Sequence, residues 1–339
     1  MNISKKISGL LFLTLILQTG LAQNNQEGKT EESKWGIKFS GFLRFDVWHD
    51  TRMVNATRED LFLFYPKNER LNSEGIDLNH IDNTHASISA SRLSSAITTP
   101  DVLNAKSSGV IEVDFYDANN AGLNVLRIRH AYFKFVWDKA EFIAGKTWHP
   151  LFVNEVYPDV VALDTGAPFQ PFLRNPLILA SYNILPSLKI IGAAITQRNK
   201  AKVSHDPSAS APFHYSKIPN LHAQLQYKNR SIVAGLAADF KRVRPSILTE
   251  DKTRFNDKYL NSTAYMAYFK YTIGDFVFRA KAIKGQNMSE LAMLGGYAVE
   301  SKDTITNVET YTPYNHLYFW INPVYGKKYC IGLFAGYAL

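Results

Sequence analysis

Cysteine and long apolar runs are both nearly absent from this chain of 339 residues. Cys330 is the single cysteine, so no disulfide can form within the chain. The longest apolar run, Gly9–Leu17, has about half of the roughly 20 residues that a membrane-spanning helix needs. These absences exclude a disulfide-stapled scaffold and a bundle of membrane-spanning helices.

The sequence also lacks the local motifs of common hydrolases. None of the nine histidines stands in a His-Glu-x-x-His zinc motif, and no serine stands in a Gly-x-Ser-x-Gly elbow. Histidines such as His80, His85 and His130 are scattered, and Pro150 directly follows His149. We therefore expect no enzymatic activity, no bound metal and no cofactor.

The N-terminus indicates export. Lys5 and Lys6 precede the apolar segment Leu10–Leu17, which is followed by the small-residue cleavage site Gly20–Ala22. This is the pattern of a secretory signal peptide over residues 1–22. A single membrane anchor is the alternative, but the apolar segment is too short for one. Cleavage after Ala22 would leave 36 Lys and Arg against 30 Asp and Glu, an excess of six positive charges.

Residues 23–34 form a short polar leader without apolar periodicity, which we expect to be flexible. The rest of the chain is rich in aromatic residues, with 21 Phe, 18 Tyr and 5 Trp, and is therefore not disordered. Its basic composition alone would permit binding to nucleic acid, but an exported protein does not meet nucleic acid. We expect no nucleic-acid partner.

From Trp35 onward, segments of about ten residues alternate between apolar and polar side chains, which indicates β-strands. In Leu221–Lys228, for example, leucine, alanine and tyrosine alternate with histidine, glutamine and lysine. One segment breaks the rule, because Arg127 and Arg129 share their parity with Phe133. That conflict predicts a β-bulge or a projecting strand end. We predict about thirteen strands, near 37–48, 84–97, 107–116, 124–137, 140–148, 177–183, 187–197, 218–228, 231–243, 261–273, 275–287, 314–322 and 328–338.

The predicted connections alternate between short turns and long polar loops, so that one end of the sheet carries turns and the other carries loops. Membrane β-barrels have this asymmetry. The predicted strands are also longer than those of a soluble β-sandwich, and aromatic residues such as Trp48 and Trp137 flank them. We therefore predict an all-β, antiparallel transmembrane β-barrel over residues 35–339. Two sets of residues are predicted to face lipid and lumen, respectively: Phe39, Leu43, Phe45, Leu225, Tyr227, Ile232, Leu236 and Phe240; and Arg44, Asp46, Glu112, Asp114, Gln224 and Lys281.

Several segments are similar to one known family. Arg127–Lys134, Gly145–Pro150 and Thr165–Arg174, with Gly41–Asp46 and Gly109–Phe115, resemble porin-like outer-membrane proteins of Gram-negative bacteria related to the DcaP-like porins. The resemblance extends from Trp35 to about residue 200. It implies a sixteen-stranded, often trimeric channel in outer-membrane lipid and lipopolysaccharide, which passes small and frequently anionic solutes.

This chain departs from that family in two ways. Its leader is too short for the N-terminal coiled coil of some relatives, and its last residue, Leu339, is not aromatic. The odd number of predicted strands would also leave a bacterial barrel open, with both edges unpaired in lipid. We therefore expect the sequence to be C-terminally truncated by roughly three strands.

The long loop near 149–176 is the predicted constriction. It contains five prolines and several aromatic residues, which are unfavourable in a loop that extends into water. Folding into the barrel would bury them, as would packing between protomers of a trimer. The candidate pore-lining residues are Arg44, Asp46, Glu112, Asp114, Arg127, Arg129, Lys146, Asp164, Arg174, Arg279 and Lys281.

These residues favour a passive outer-membrane porin with a preference for anions such as carboxylates. A non-channel barrel that serves adhesion or envelope anchoring is the alternative. It would have a plugged or apolar lumen and would not conduct ions.

Overall fold

The computed structural model of the chain describes residues 35–57, 62–115, 126–161, 165–196 and 215–339. The predicted signal peptide, the leader and Asp164 lie outside these residues. The strands, in chain order, are β1 (Gly36–Phe42), β2 (Asp46–Asp50), β3 (Val54–Thr57), β4 (Phe62–Pro66), β5 (Asn83–Ser87), β6 (Arg92–Thr98), β7 (Lys106–Asp114), β8 (Arg127–Val136), β9 (Ala140–Trp148), β10 (Arg174–Leu185), β11 (Leu188–Ile195), β12 (Asn220–Lys228), β13 (Ile232–Val243), β14 (Leu260–Ile273), β15 (Phe276–Gln286), β16 (Tyr297–Lys302), β17 (Glu309–Pro313), β18 (Asn315–Gly326), β19 (Cys330–Gly332) and β20 (Ala335–Ala338).

Fourteen of these strands form one antiparallel sheet. Its order is β1-β6-β7-β8-β9-β10-β11-β12-β13-β14-β15-β18-β19, and β20 also pairs with β18. Three further hairpin sheets, β2–β5, β3–β4 and β16–β17, belong to the connections. Within the described part of the chain, no ladder joins β1 to β19 or β20.

All thirteen predicted strands have counterparts in the structure, but the prediction of three continuous strands, 37–48, 84–97 and 328–338, is wrong. The first divides into β1 and β2, the second into β5 and β6, and the third into β19 and β20. A hydrogen bond between residues far apart in the sequence explains the first two breaks. The backbone N–H of Arg44 donates to Ser91 Oγ at 3.0 Å, so the chain leaves the main sheet there and β2 pairs with β5 instead.

On β12 the main sheet buries its polar side chains and exposes its apolar ones, whereas on β14, β15 and β18 the same side also buries Met266, Ile283 and Trp320. Gln224 of β12 is 5% exposed and its neighbour Leu225 is 44% exposed. On the next strand, Leu236 is 64% exposed. A soluble sheet has the opposite arrangement. We refer to the buried side of the sheet as the polar face and to the exposed side as the apolar face.

The conflict in β8 is resolved by a β-bulge, as predicted. Glu112 of β7 is opposite His130, whereas the next residue, Val113, is opposite Ile128. Arg129 is therefore the additional residue, and the face pattern of β8 changes at this point. The bulge allows Arg127 and Arg129 to lie beside the acids of β7, while Phe133 is exposed on the apolar face.

The sheet has a turn end and a loop end. Strands β8 to β15 are joined at the turn end by residues 137–139, 186–187, 229–231 and 274–275, and at the loop end by much longer segments. In the described residues the only helices are the short 3-10 helices Pro150–Phe152 and Ser289–Leu291. No helix in these residues is long and apolar enough to cross a membrane.

Candidate functional site

Residues 149–161 and 165–173, between β9 and β10, pack on the polar face of the sheet, and we call them the inner loop. Lys281 of β15 donates hydrogen bonds to the carbonyl oxygens of Leu151 (3.1 Å) and Phe152 (2.8 Å). Trp320 of β18 donates its indole N–H to Gln170 Oε1 at 3.2 Å. Leu151, Phe152 and Gln170 are fully or almost fully buried. These buried hydrogen bonds hold the inner loop against the strands of its own chain.

The inner loop reaches the turn end of the sheet. The backbone N–H of Asp159 donates to Asn322 Oδ1 at 2.8 Å, and Arg279 lies 3.8 Å from the Asp159 carboxylate. Phe169 contacts β20, where a Cβ added to Gly336 would lie 2.5 Å from its ring. The loop therefore occupies much of the space above β15, β18 and β20.

A cluster of acids and arginines lies on β7 and β8. Arg127 and Arg129 contact Asp114 at 2.6 and 2.8 Å, and Arg129 also contacts Glu112 at 2.5 Å. The Asp114 side chain is 0% exposed. The structure thus brings four of the predicted pore-lining residues together, with their opposite charges paired.

Arg174 lies at the start of β10. Its guanidinium carbon is 3.4 Å from the ring centroid of Trp148, and its Nε donates to His130 Nε2 at 3.1 Å. Phe152 of the inner loop stacks on Trp148 with a centroid distance of 3.8 Å. Both ring faces of Trp148 are consequently covered, one by a cation and the other by an aromatic ring.

The remaining predicted residues are dispersed. Arg44 and Asp46 form an ion pair at 2.8 Å near the break between β1 and β2. Lys146 donates to the carbonyl oxygen of Ile128 at 2.7 Å. Lys281 lies on the predicted face, but it is 2% exposed and covered by the inner loop, so its charge does not reach solvent.

A row of cations crosses the polar face near the turn end. The row consists of Lys228 on β12, Lys270 on β14 and Arg279 on β15. They lie side by side across the sheet, because Lys228 is aligned with Val233 of β13, Val233 with Lys270, and Lys270 with Arg279. Glu155 of the inner loop lies 3.5 Å from the Lys228 ammonium. Lys228 and Lys270 are not among the residues predicted to line the pore, although Lys228 shares the parity of the buried glutamines of β12.

A chain of hydrogen bonds follows β12 on the same face. His222 Nε2 lies 3.1 Å from Gln224 Oε1, and Gln224 Nε2 donates to Tyr268 Oη at 2.7 Å. Tyr268 in turn donates to Gln226 Oε1 at 3.0 Å. The polar face is thus lined by neutral amides and hydroxyls as well as by charged side chains.

A cavity of about 250 Å³ remains between the first part of the inner loop and β8 to β12. Its walls include charged side chains, amides, hydroxyls and Trp148. Among the described residues, no group of His, Cys, Asp and Glu is arranged to hold a metal ion.

No protein-family model and no curated protein sequence matches the chain. Solved structures do match. The outer-membrane channel DcaP of Acinetobacter baumannii aligns with a TM-score of 0.65 at 17% identity, over 93% of this chain and 82% of that one. OmpF of Salmonella typhi aligns with a TM-score of 0.52 at 10% identity, over 92% of this chain and 81% of that one. This chain therefore has the antiparallel β-fold of the outer-membrane porins.

Proposed function

We propose that the protein is an outer-membrane porin, a passive diffusion channel for small hydrophilic solutes. The observation that carries this proposal is the reversed burial of the sheet, with Gln224 and Gln226 covered and Leu225 and Leu236 exposed. An exposed apolar face is stable in lipid, and a polar face turned inward can be hydrated. The porin fold supports the same conclusion.

We further propose that the channel prefers anions such as carboxylates. The acids of β7 are paired with arginines, so the cluster there adds little net field. The row Lys228, Lys270 and Arg279 has three positive charges against the two carboxylates of Glu155 and Asp159. A positive excess at a narrow point attracts anions and repels cations.

The inner loop is the proposed constriction, because it covers the polar face above β15 and β18 but leaves the cavity beside β8 to β12 open. This opening favours a channel over a barrel that serves only adhesion or anchoring. We also propose that the protein assembles as a trimer in outer-membrane lipid and lipopolysaccharide, and chemical cross-linking in native membranes tests the trimer.

The decisive experiment for a channel is planar-bilayer recording with the purified protein. We expect stepwise conductance and, in a salt gradient, a reversal potential of the sign that indicates anion preference. A protein that inserts but does not conduct would refute the channel and support the adhesion alternative. A cation-selective reversal potential would refute only the proposed preference.

A further inference from the structure

The cavity beside the inner loop carries charges of both signs in equal number. Two cations, Lys134 and Lys189, and two carboxylates, Glu141 and Glu155, line it. An anion therefore gains no net attraction here, in contrast to the row of cations nearer β15. The cavity and that row thus differ in the chemistry that they recognise.

The four charges are not equivalent. Lys134 and Glu141, neighbours across β8 and β9, form an ion pair at 2.6 Å and neutralise each other. Lys189 of β11 forms no ion pair within the described part of the chain. Glu155 of the inner loop is paired with Lys228 at 3.5 Å, but its side chain is 36% exposed and this long contact leaves room on the carboxylate for a further donor. Lys189 and Glu155 are thus the two charges best placed to contact a solute.

Lys189 and Glu155 lie on opposite walls of the cavity. Lys189 is aligned with Gln226 in the ladder of β11 and β12, whereas Glu155 approaches the amide of Gln226 from the inner loop. The two charges therefore belong to one small neighbourhood, with Gln226 between them. A ligand with a negative and a positive group a few bonds apart can contact both.

The size of the cavity limits the solutes that it can hold. The volume of about 250 Å³ lies below the roughly 300–1000 Å³ of pockets for drug-sized ligands. The cavity is therefore sized for a solute of a few heavy atoms.

We propose that this cavity is a binding site for small zwitterions, of which α-amino acids are the simplest. The carboxylate of the solute contacts Lys189, its ammonium contacts Glu155, and Gln224 and Gln226 donate and accept the remaining hydrogen bonds. Charge-assisted hydrogen bonds at both ends distinguish a zwitterion from an acid or an amine of the same size. The inference deepens the proposed function, since the cavity lies on the proposed solute path.

The test measures binding to the purified full-length protein in detergent, by saturation-transfer NMR, so that it does not require conduction. The probes are L-alanine, propionate, which lacks the ammonium, and ethylamine, which lacks the carboxylate. We expect alanine to bind at least tenfold more tightly than either analogue. Equal binding of propionate and alanine would overturn the proposal in favour of an anion site, and no binding of alanine would overturn it outright.

Two variants assign the contacts. Lys189→Met is expected to weaken alanine binding at least tenfold and to leave ethylamine unchanged, whereas Glu155→Gln is expected to weaken alanine equally and to leave propionate unchanged. Lys328→Met and Glu69→Gln, at exposed positions that do not line the cavity, are the matched controls. Unchanged alanine binding in either cavity variant would overturn the proposal. Bilayer conductance, measured in parallel, separates failure of this site from failure of the channel.

Discussion

Asp114 shows how one residue depends on the bulge beside it. Its side chain is 0% exposed, and the additional residue in β8 allows both Arg127 and Arg129 to reach its carboxylate. Replacement by a neutral amide would leave the buried guanidinium of Arg129 and the partly exposed one of Arg127 without their shared counter-charge. Breaking a buried pair in this way costs more than the pair contributes when it is intact.

We expect Asp114→Asn to destabilise the folded protein by about 3 kcal/mol or more. The measurement is the shift of the unfolding transition, which is monitored as the loss of the compact band on an unheated gel. Asp46→Asn is the control, since the Arg44–Asp46 pair is 35% and 18% exposed and should contribute less than about 1 kcal/mol. Equal shifts for the two variants would contradict this expectation.

Arg174, Arg44 and Arg279 are predicted pore-lining residues outside the cluster of acids and arginines on β7 and β8. We expect the triple replacement by Glu to move the permeability ratio toward cations, because three positive charges on the polar face become negative. The reversal potential in a salt gradient measures the change. Arg230→Glu, in the exposed turn 229–231, is the control and should have little effect. An unchanged reversal potential in the triple variant would remove these residues from the selective region.

At the scale of elements, the inner loop is fitted closely to β20. A Cβ at Gly336 would lie 2.5 Å from the Phe169 ring, which is closer than such atoms approach one another. We expect Gly336→Val to displace the loop from the sheet and therefore to raise single-channel conductance and expose the buried Phe152 to chymotrypsin. Gly192→Val on β11 is the control, because a Cβ added at Gly192 would lie 3.9 Å from its nearest neighbour, a backbone carbonyl oxygen. A conductance equal to that of the unmodified protein would show that the loop does not limit flow.

The connection between β4 and β5 is organised by the carboxylate of Asp77. Backbone N–H groups of Arg70 and Asn79 and the guanidinium of Arg52 donate to it and lower its pKa to about 2. An unfolded aspartate has a higher pKa, so the charged form favours the folded loop.

The contribution of Asp77 should be complete above pH 4 and should disappear as the pH falls through about 2. This contribution is measured by the hydrogen-exchange protection of the Arg70 and Asn79 backbone amides, after correction for the intrinsic exchange rates. Asp77→Ala should show low protection at every pH, while Asp82→Ala is the control. Protection that is independent of Asp77 would refute this role.

Local periodicity predicted the elements well and the contacts between distant elements poorly. The bulge at Arg129 could be predicted because its signal, a conflict of parity, lies within ten residues. The burial of Lys281 could not, because the covering carbonyl oxygens belong to Leu151 and Phe152, about 130 positions earlier in the chain. The breaks in the first strands were missed for the same reason, since they depend on the distant Ser91 hydroxyl.

At the scale of the whole molecule, the reversed burial predicts where charge is tolerated. We expect Leu236→Lys, on the apolar face in the middle of β13, to lower the free energy of unfolding in lipid vesicles by about 2–4 kcal/mol. Thr272→Lys, a partly exposed position on the polar face of the neighbouring strand β14, should cost much less. Urea titration of both variants after folding into vesicles gives the two values. A larger cost at Thr272 would mean that the faces are assigned the wrong way round.

The packing of the inner loop also has a consequence for the order of folding. From β6 to β15, each strand of the main sheet pairs with its neighbour in sequence, so the ladders form between segments close along the chain. The inner loop instead contacts Lys281, Trp320 and Phe334, which are synthesised more than a hundred residues later. Contacts of such high sequence separation form slowly. The sheet should therefore assemble first with a wide passage, and the docking of the loop should narrow it last.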